Sequence, residues 1–539
     1  MRGKYVQYFT KDAAKLLALA GHELYNFYLY IKHRPFLLLL LAILITVTYS
    51  VKLFHYDYSI DTGRALYDYS GILASWESIY RLGLVLLKDV LFPAGLNIFF
   101  ANSLTFIALY ISTIIFIYMA HRIVGTISGG LYLEILAASL FVTSPIIIEQ
   151  LNFTLQSFEV ALGTILTLLG SGMVLVGYFK RSAIATLAAV LLWSFSAAIY
   201  QSFVPFMIVL GVFWVALLLL SSKKVSFYRL AMTYIGVLIV SLVIYGTAIY
   251  IFEILHTGGT VDANSGSYLS SQVVWVQSAL EAFYRIGGYI KMVILGEGRF
   301  YNILPALLST LAVVGIILAK KPWVWKVQMV LLVGGLYIAI FSLVILLGQP
   351  EEVRARYPAQ PIFLAMIVYL SYILMPYRYM RITILSLALL FSFAQVRVTT
   401  NLQSIENVKY TREQAMARDI INRADRLGVN GQYEQYKLIV IGDWKDRDAL
   451  AIREPGMMIG VSHFEGGSQR VTELFNAMGY SFSFGGGIGT NPAQHKQVCL
   501  ANIDSIRKMP IYPSDGGVKV VDNHVIIKLI DLPDPSVNC

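Results

Sequence analysis

The apolar run FLLLLLAILITVTYSVKLF (residues 36–54) passes directly into the polar stretch HYDYSIDTGR (residues 55–64). The first run is long enough to cross a bilayer as a helix. The second places Asp57, Asp61 and Arg64 beside the membrane surface, and these side chains share one face if the stretch is helical. Two carboxylates and a guanidinium at a bilayer surface suit proton abstraction beside a phosphate. The alternative is a solvated interfacial loop with local ion pairs.

The composition is that of a membrane protein. Of the 539 residues, 57% are hydrophobic and 14% are charged. These values are typical of a polytopic membrane protein and exclude an ordinary globular enzyme. The net charge of +10 does not require a nucleic acid partner, because much of it lies in the predicted cytoplasmic loops. The two cysteines, Cys499 and Cys539, form at most one disulfide, and the sequence leaves their pairing open.

Residues 1–34 precede the first apolar run and mix aromatic residues and leucines with lysines. We expect no cleavable signal, because no short apolar region with a small-residue cleavage site comes first. The pattern predicts one of two cytoplasmic structures. One is a basic amphipathic segment that lies on an anionic leaflet, and the other is a plain tail that carries positive-inside charge.

Eleven apolar runs are long enough to span a bilayer. They cover residues 36–54, 98–119, 131–148, 157–178, 183–199, 203–220, 230–252, 302–319, 327–347, 360–376 and 381–396. We therefore predict an α-helical polytopic membrane protein, with about eleven transmembrane helices over residues 35–396. The fifth and sixth runs are short and joined by a tight hairpin, so the count can change by two.

The distribution of charge gives the orientation. With a cytoplasmic N-terminus, the predicted inside segments hold 17 Lys and Arg but only two acidic residues, Asp12 and Glu23. Every inside loop then satisfies the positive-inside rule. An odd number of helices places residues 397–539 outside the cytoplasm, where a disulfide is permitted.

Four polar segments fall on the predicted outer side: residues 55–97, 145–156, 253–301 and 348–359. The middle of the third predicts an amphipathic helix on the outer surface, with Leu280, Phe283 and Tyr284 among the residues that face lipid. These segments also contain lysines and arginines, which the positive-inside rule disfavours on the outer side of the membrane. Fixed cations at this face suit a lipid phosphate or pyrophosphate, and the alternative for each is a local ion pair. The cations are Arg64, Arg81, Arg285, Lys291, Arg299, Arg354 and Arg356.

Residues 397–539 predict a small α/β domain, which we call the C-terminal domain. The predicted elements are helices over Thr411–Leu427 and Val471–Met478, a strand from Lys437 to a turn at Gly442, and a hairpin of Val518–Val521 with Val525–Leu529. The glycine-rich residues 485–489 lack the Lys-Ser/Thr of a phosphate-binding P-loop and predict a flexible loop. The scattered histidines and cysteines give no zinc spacing.

Several of these motifs together resemble the Gtr-type O-antigen glucosyltransferases of serotype-converting phages and their bacterial relatives. The resemblance rests on the order and spacing of IDTGR (residues 60–64), Trp76, Arg81, SPIIIEQLNFTLQS (residues 144–157), AIYQS (residues 198–202) and the late loop with Arg356. Many relatives have adjacent aspartates where this chain has Asp61-Thr62, and some have an aspartate in place of Gln156. The first departure leaves open whether Asp57 or Asp61 is the catalytic carboxylate.

The resemblance implies a GT-C-like membrane fold and a glucosyl donor carried on polyprenyl phosphate. It also implies transfer to lipid-linked O-antigen or another surface glycan on the periplasmic side of the bacterial inner membrane. The expected reaction is a single displacement with a carboxylate general base. No cofactor is required by these features, and the sequence leaves a divalent cation open.

The resemblance and the local chemistry together assign roles to individual residues. We expect Asp61 to be the general base, because it best matches the motif, with Asp57 as second choice or as a partner that orients the acceptor. Candidate ligands of the donor phosphate are Arg64, Arg354, Arg356 and Lys291. Candidate contacts to sugar hydroxyls are Glu149, Gln150, Tyr200, Gln201 and Trp76. As structural alternatives, Gln201 could satisfy backbone groups at a helix end, and Trp76 could anchor the interface.

Two other functions share this topology. A lipid-linked sugar flippase would place charged residues near the middle of its helices, whereas here they cluster at one face. A surface-glycan polymerase or ligase would use a lipid-pyrophosphate donor, and only a substrate assay separates it from a glucosyltransferase.

Overall fold

A computed structural model describes residues 2–55, 57–125, 129–221, 225–257, 273–276, 278–483, 497 and 500–531. The predicted loop at residues 485–489 and both cysteines lie outside the described residues. Up to residue 257 the described chain is almost entirely helical. The helices are α1 (Arg2–Lys32), α2 (Pro35–Thr48), α3 (Ser50–Phe54), α4 (Thr62–Tyr67), α5 (Tyr69–Ser78), α6 (Leu82–Leu91), α7 (Ile98–Val124), α8 (Gly130–Val142), α9 (Pro145–Leu151), α10 (Thr154–Lys180), α11 (Ala183–Ile199), α12 (Phe203–Leu220) and α13 (Phe227–Thr257).

Six more helices and two short 3₁₀ turns, Val274–Val276 and Val353–Arg356, follow among the described residues up to Arg426. The helices are α14 (Ala279–Leu295), α15 (Leu304–Leu318), α16 (Trp323–Ile340), α17 (Ser342–Leu347), α18 (Ala359–Leu374) and α19 (Arg378–Arg426). Helices α12 and α18 form the centre of the bundle, because they are apolar all round and almost every residue of α18 is buried.

The predicted membrane character is confirmed, but the number of spans stays a prediction. By length and composition, six described helices can cross a membrane: α7, α10, α12, α13, α16 and α19. Two bent pairs bring the total to eight, and these are α1 with α2, which meet at 78°, and α8 with α9, which meet at 45°. Helices α11, α15 and α18 are apolar but shorter. Each of the eleven predicted runs therefore falls on a helix, yet three of these helices are too short to count by length alone.

The amphipathic helix predicted in the outer segment is α14, which begins at Ala279. Leu280, Phe283 and Tyr284 are strongly exposed along it. Large apolar side chains left open on one face are typical of a helix that lies on a membrane surface. The contact of this face with lipid remains a prediction.

The few charged residues within the bundle are paired. Lys88 Nζ of α6 lies 2.9 Å from Glu159 Oε1 of α10, and both side chains are buried. Glu134 of α8 binds Arg34 at 3.2 Å and His121 at 2.8 Å. Buried charges of this kind are tolerated because each has an opposite charge beside it.

The last span continues into the C-terminal domain. Helix α19 runs without a break from Arg378 to Arg426, so the domain boundary predicted at residue 397 falls inside a helix. The predicted helix Thr411–Leu427 is the end of this longer one. The hydrophobic run that ends near residue 396 marked the apolar half of the helix, and the polar half continues the same backbone hydrogen bonding.

The rest of the C-terminal domain is a three-stranded sheet with short helices. The strands are β1 (Lys437–Ile441), β2 (Val518–Val521) and β3 (His524–Lys528), and the helices are α20 (Arg447–Ile452), α21 (Ser468–Ala477) and α22 (Ile503–Lys508). The central strand β3 pairs antiparallel with β2 and parallel with β1. The predicted strand, hairpin and second helix are confirmed, whereas the parallel pairing of β1 with β3 was not predicted.

The C-terminal domain packs directly on the segment that follows the first span. Tyr58 and Ile98 belong to the same buried cluster as Phe464, Leu474 and Phe475 of the domain. Burial of large apolar and aromatic side chains stabilises such a contact by roughly 1.5–3 kcal/mol for each residue. The polar stretch after the first span is therefore enclosed between the membrane helices and the C-terminal domain.

Candidate active site

The stretch from Asp57 to Asp61 forms a turn, and the helix begins only at Thr62. The shared helical face expected for Asp57, Asp61 and Arg64 is therefore wrong. Asp61 is the N-cap residue of α4 and has a φ of 70°. A positive φ is uncommon for a residue other than glycine and costs on the order of 1–3 kcal/mol, and such residues cluster at functional sites.

Asp57 is buried and paired with a lysine. Its Oδ1 lies 2.8 Å from Lys52 Nζ, which also donates a hydrogen bond of 3.1 Å to the Asp57 carbonyl oxygen. Both side chains are almost completely inaccessible. This is the arrangement of a structural ion pair, in which the carboxylate is already engaged.

Asp61 has the opposite environment. Its side chain is half-buried and accepts no hydrogen bond from the helix that it caps. It lies within electrostatic range of Arg354 and of Glu473 in the C-terminal domain. A carboxylate with a nearby cation and no hydrogen bond from its own helix can accept a proton from a ligand.

Arg354 brings a fixed positive charge to the same place. Its guanidinium lies over the ring of Phe153 at 4.1 Å from the centroid and pairs with Glu352. Asp61 and Tyr200 are among the groups that act on it electrostatically. The planar guanidinium is therefore held by a ring and a carboxylate, and a guanidinium is a group that can bind a phosphate through two hydrogen bonds.

Two of the other predicted phosphate ligands are also paired locally. Arg64 Nε donates to Asp68 at 3.0 Å, and Arg356 donates to the carbonyl oxygen of Glu351 at 2.7 Å. The local ion pairs weighed as alternatives are thus present for Arg64 and Arg356, and also for Arg354 with Glu352. Lys291 is exposed on α14, and no contact found among the described residues joins it to the site.

Glu149 is engaged by the C-terminal domain. The carboxylate is buried in α9 and accepts hydrogen bonds from the backbone N–H groups of Met458 and Ile459, the second at 3.2 Å. This contact holds the loop around residues 458–459 against the membrane helices, and the predicted contact of Glu149 with sugar hydroxyls stays a prediction.

Three neighbouring side chains have polar atoms that no described residue satisfies. Both amide atoms of Gln150, the amide nitrogen of Asn152 and the hydroxyl of Thr154 are buried without a hydrogen-bond partner within the described chain. Buried polar atoms are normally hydrogen-bonded, so a group of exceptions needs an explanation. Amides and hydroxyls both donate and accept, as sugar hydroxyls do, and these atoms suit the binding of a sugar.

Tyr200 closes another side of the site. The Arg81 guanidinium lies 4.7 Å from the centre of its ring and donates to Gln156 Oε1 at 2.9 Å. The Tyr200 ring is 4% exposed and lies near Arg354. The structure therefore brings together the motifs around residues 81, 156 and 200, which lie far apart in the sequence.

Gln201 and Trp76 make structural contacts, and their predicted contacts with sugar hydroxyls stay predictions. Gln201 Nε2 donates to the carbonyl oxygen of Ile79 at 3.2 Å and to the hydroxyl of Tyr245 at 2.9 Å. Trp76 is buried in a small apolar cluster that includes Phe153. The contacts of Gln201 are those of the structural alternative. Trp76 is buried, so it does not lie at a surface as an interfacial anchor would.

One residue of the site comes from the C-terminal domain and was not predicted. Glu473 lies on α21 within electrostatic range of Asp61 and Arg64. Burial, together with the Asp61 charge, raises the pKa of Glu473 to about 7. The sequence contained one signal for this residue. Glu473 lies between Val471 and Leu474 on the apolar side of a predicted helix, where a charged side chain is unexpected.

In the part of the chain that the structure describes, no group of three or more histidine, cysteine, aspartate or glutamate side chains could hold a metal ion. The described site thus offers carboxylates, cations, amides and hydroxyls. These groups can move a proton, bind an anion and orient a sugar.

Comparison with known proteins agrees with this set of groups. A family model described as "Glucosyl transferase GtrII" matches residues 50–377. Searches of curated proteins and of solved structures gave no match. The matched region includes Asp61, Gln150, Tyr200 and Arg354 but ends before Glu473. Because the match covers more than half of the chain, the protein belongs to the GtrII glucosyl transferase family and is a membrane glucosyltransferase.

Proposed function

We propose that this glucosyltransferase takes glucose from a polyprenyl-phosphate-glucose donor and transfers it to lipid-linked O-antigen or another surface glycan. Transfer takes place on the periplasmic side of the bacterial inner membrane. The observation that carries the proposal is the half-buried Asp61, which accepts no hydrogen bond from its own helix and lies near the oriented guanidinium of Arg354.

Asp61 acts as the general base in a single displacement. As the acceptor hydroxyl oxygen attacks the anomeric carbon, Asp61 takes the hydroxyl proton. A new bond forms between the anomeric carbon and the acceptor oxygen, while the bond to the phosphate oxygen breaks. The electron pair of the broken bond stays on the lipid phosphate, and the configuration at the anomeric carbon is inverted. The ion pair of Asp57 with Lys52 supports the choice of Asp61.

Arg354 stabilises the negative charge that develops on the departing phosphate. A cation that is already oriented lowers the barrier because it needs no reorganisation as charge appears. Arg64 lies near the start of α4 and is the proposed second ligand, after exchange of its bond to Asp68. Arg356, which is buried and engaged by Glu351, supports the loop rather than the phosphate.

The glucosyl group is proposed to lie against Gln150, Asn152 and Thr154. Their unsatisfied polar atoms would each gain a hydrogen bond from a sugar hydroxyl. Tyr200 offers a ring beside Arg354, which suits contact with the apolar face of a hexose.

A groove of about 800 Å³ offers a path for the polyprenyl chain. Apolar residues of α3 and α19 line it, among them Val51, Phe393 and Leu402, and Arg299 and Arg397 lie at its polar part. The backbone N–H of Arg299 donates to Glu454, whose charge acts on Arg356. The groove is thus linked at Arg299, through Glu454, to the charge on Arg356, and its apolar lining supports a donor with an apolar tail.

The proposal is tested by measuring which of two glucose donors the protein uses. Purified protein is given a lipid-linked O-antigen glycan with radiolabelled polyprenyl-phosphate-glucose or UDP-glucose. We expect label in the glycan only from the lipid donor, and an Arg354→Gln variant slower by roughly 10²–10³-fold. Arg418→Gln, which removes an exposed arginine of α19, serves as the matched control and should be unchanged. Transfer from UDP-glucose, or an Arg354→Gln variant with full activity, would contradict the proposal.

A further inference from the structure

The C-terminal domain supplies a carboxyl group to the site through a close backbone contact. A Cβ atom on Gly63 would lie 3.3 Å from the carbonyl oxygen of Glu473, which is closer than such contacts normally are. The start of α4 and the middle of α21 therefore touch through their main chains. This contact fixes the position of Glu473 relative to the Asp61 turn.

The side chain of Glu473 is only half satisfied. It is 2% exposed. Its Oε1 accepts a hydrogen bond of 3.1 Å from Gln469 Nε2, whereas its Oε2 is buried without a partner among the described residues. A buried carboxyl oxygen without a hydrogen bond is costly, so it suggests a ligand.

The charged and titratable groups around Glu473 come from both sides of the interface. Asp61 and Arg64 face it from the membrane part, and Arg470 faces it from its own helix. Tyr67 of α4 is also within electrostatic range. Two carboxyl groups, those of Asp61 and Glu473, thus lie on opposite sides of this interface.

We propose that Glu473 binds the acceptor glycan, with its Oε2 accepting a hydrogen bond from a hydroxyl of the acceptor sugar so that the attacking hydroxyl is held against Asp61. This inference rests on the proposed function. A carboxyl group suits the acceptor better than the donor, because a carboxylate repels the donor phosphate. The acceptor is thus recognised by a residue beyond the region that the family shares, residues 50–377.

Steady-state kinetics separate this role from a structural one. The full chain is compared with Glu473→Gln and Glu473→Asp, with polyprenyl-phosphate-glucose as donor and a lipid-linked O-antigen glycan as acceptor. Glu434→Gln, which changes an exposed glutamate of the same domain, is the control. We expect Glu473→Gln to raise the KM for the acceptor about tenfold or more, while kcat and the KM for the donor stay within about twofold. Glu473→Asp, which keeps the charge on a shorter side chain, should be intermediate.

Other outcomes overturn the proposal. They are an unchanged acceptor KM in Glu473→Gln, or an equal loss for donor and acceptor. Direct binding of the labelled acceptor glycan is measured in parallel, because it does not depend on transfer. If the wild type binds the glycan but transfers no glucose, the proposed function fails. The Glu473 proposal is then decided by whether Glu473→Gln weakens binding about tenfold and Glu434→Gln does not.

Discussion

At the scale of single residues, two aspartates four positions apart have opposite environments. Asp57 lies 2.8 Å from a buried lysine, and Asp61 has a strained backbone and no cap hydrogen bond. Both aspartates were candidates from the sequence, but the sequence did not show which one is buried. Their burial depends on how the chain turns between the end of α3 and the start of α4. Glu473 was missed for a related reason, since only the folded chain brings it beside Asp61.

Replacing Asp57 should cost stability. Asp57→Asn leaves the buried Lys52 ammonium without its counter-charge, and we expect unfolding to become easier by about 3–5 kcal/mol. Thermal unfolding of the purified protein in detergent measures the effect. The double variant Lys52→Met with Asp57→Leu removes both charges and should recover most of the loss. A single variant as stable as the wild type would mean that the pair is not buried.

The raised pKa of Glu473 predicts a pH-dependent effect on stability. Its ordinary value is 4.5, and the folded value is about 7. The folded protein therefore binds the proton more tightly than the unfolded chain. The resulting stability is fully present below pH 4.5 and is lost as pH rises to about 7, up to about 3 kcal/mol. Relative to the wild type, Glu473→Gln should gain thermal stability at pH 8 but not at pH 4.5. If the difference in thermal stability between Glu473→Gln and the wild type were the same at pH 4.5 and pH 8, the raised pKa of Glu473 would be refuted.

At the scale of elements, hydrophobic runs predicted the positions of the membrane helices but not their continuation. The runs end where apolar residues end, whereas α19 continues for about thirty residues of polar helix. The turn at residues 57–61 also escaped prediction, because a spacing of i to i+4 fits a helix equally well. Contacts between distant elements, such as α9 with the loop around residues 458–459, leave no periodic signal in the sequence.

Glu149 should hold that loop. Glu149→Ala leaves the N–H groups of Met458 and Ile459 without an acceptor, at a cost of about 1–3 kcal/mol for each buried group. We expect faster amide hydrogen exchange in a peptide over residues 455–462, read by mass spectrometry. The central strand β3 is the internal control and should exchange at the wild-type rate. Equal protection of the loop in both proteins would show that Glu149 does not hold it.

At the scale of the whole molecule, the candidate site draws on both parts of the chain. The membrane part supplies Asp61, Arg354 and the polar atoms near residue 150, and the C-terminal domain covers them and adds Glu473. Composition and charge bias predicted the two parts and their order. They could not predict the enclosure, which depends on tertiary packing of Tyr58 and Ile98 against the domain.

The predicted orientation places the C-terminal domain outside the cytoplasm. Single cysteines are introduced in a Cys499→Ser, Cys539→Ser background. We expect a membrane-impermeant maleimide to label Glu434→Cys in spheroplasts, and Lys320→Cys only after the membrane is opened. Both positions are exposed, so access to the side chain itself does not limit labelling. The reverse pattern would place transfer on the cytoplasmic side.

The central claim is that Asp61 is the base of glucosyl transfer. It is tested by transfer from radiolabelled polyprenyl-phosphate-glucose to lipid-linked glycan, with wild type, Asp61→Asn and Asp57→Asn assayed in parallel and normalised to folded protein. We predict that Asp61→Asn lowers kcat by roughly 10²–10⁴-fold while remaining folded, and that folded Asp57→Asn stays active. An active Asp61→Asn together with an inactive, folded Asp57→Asn would contradict the account.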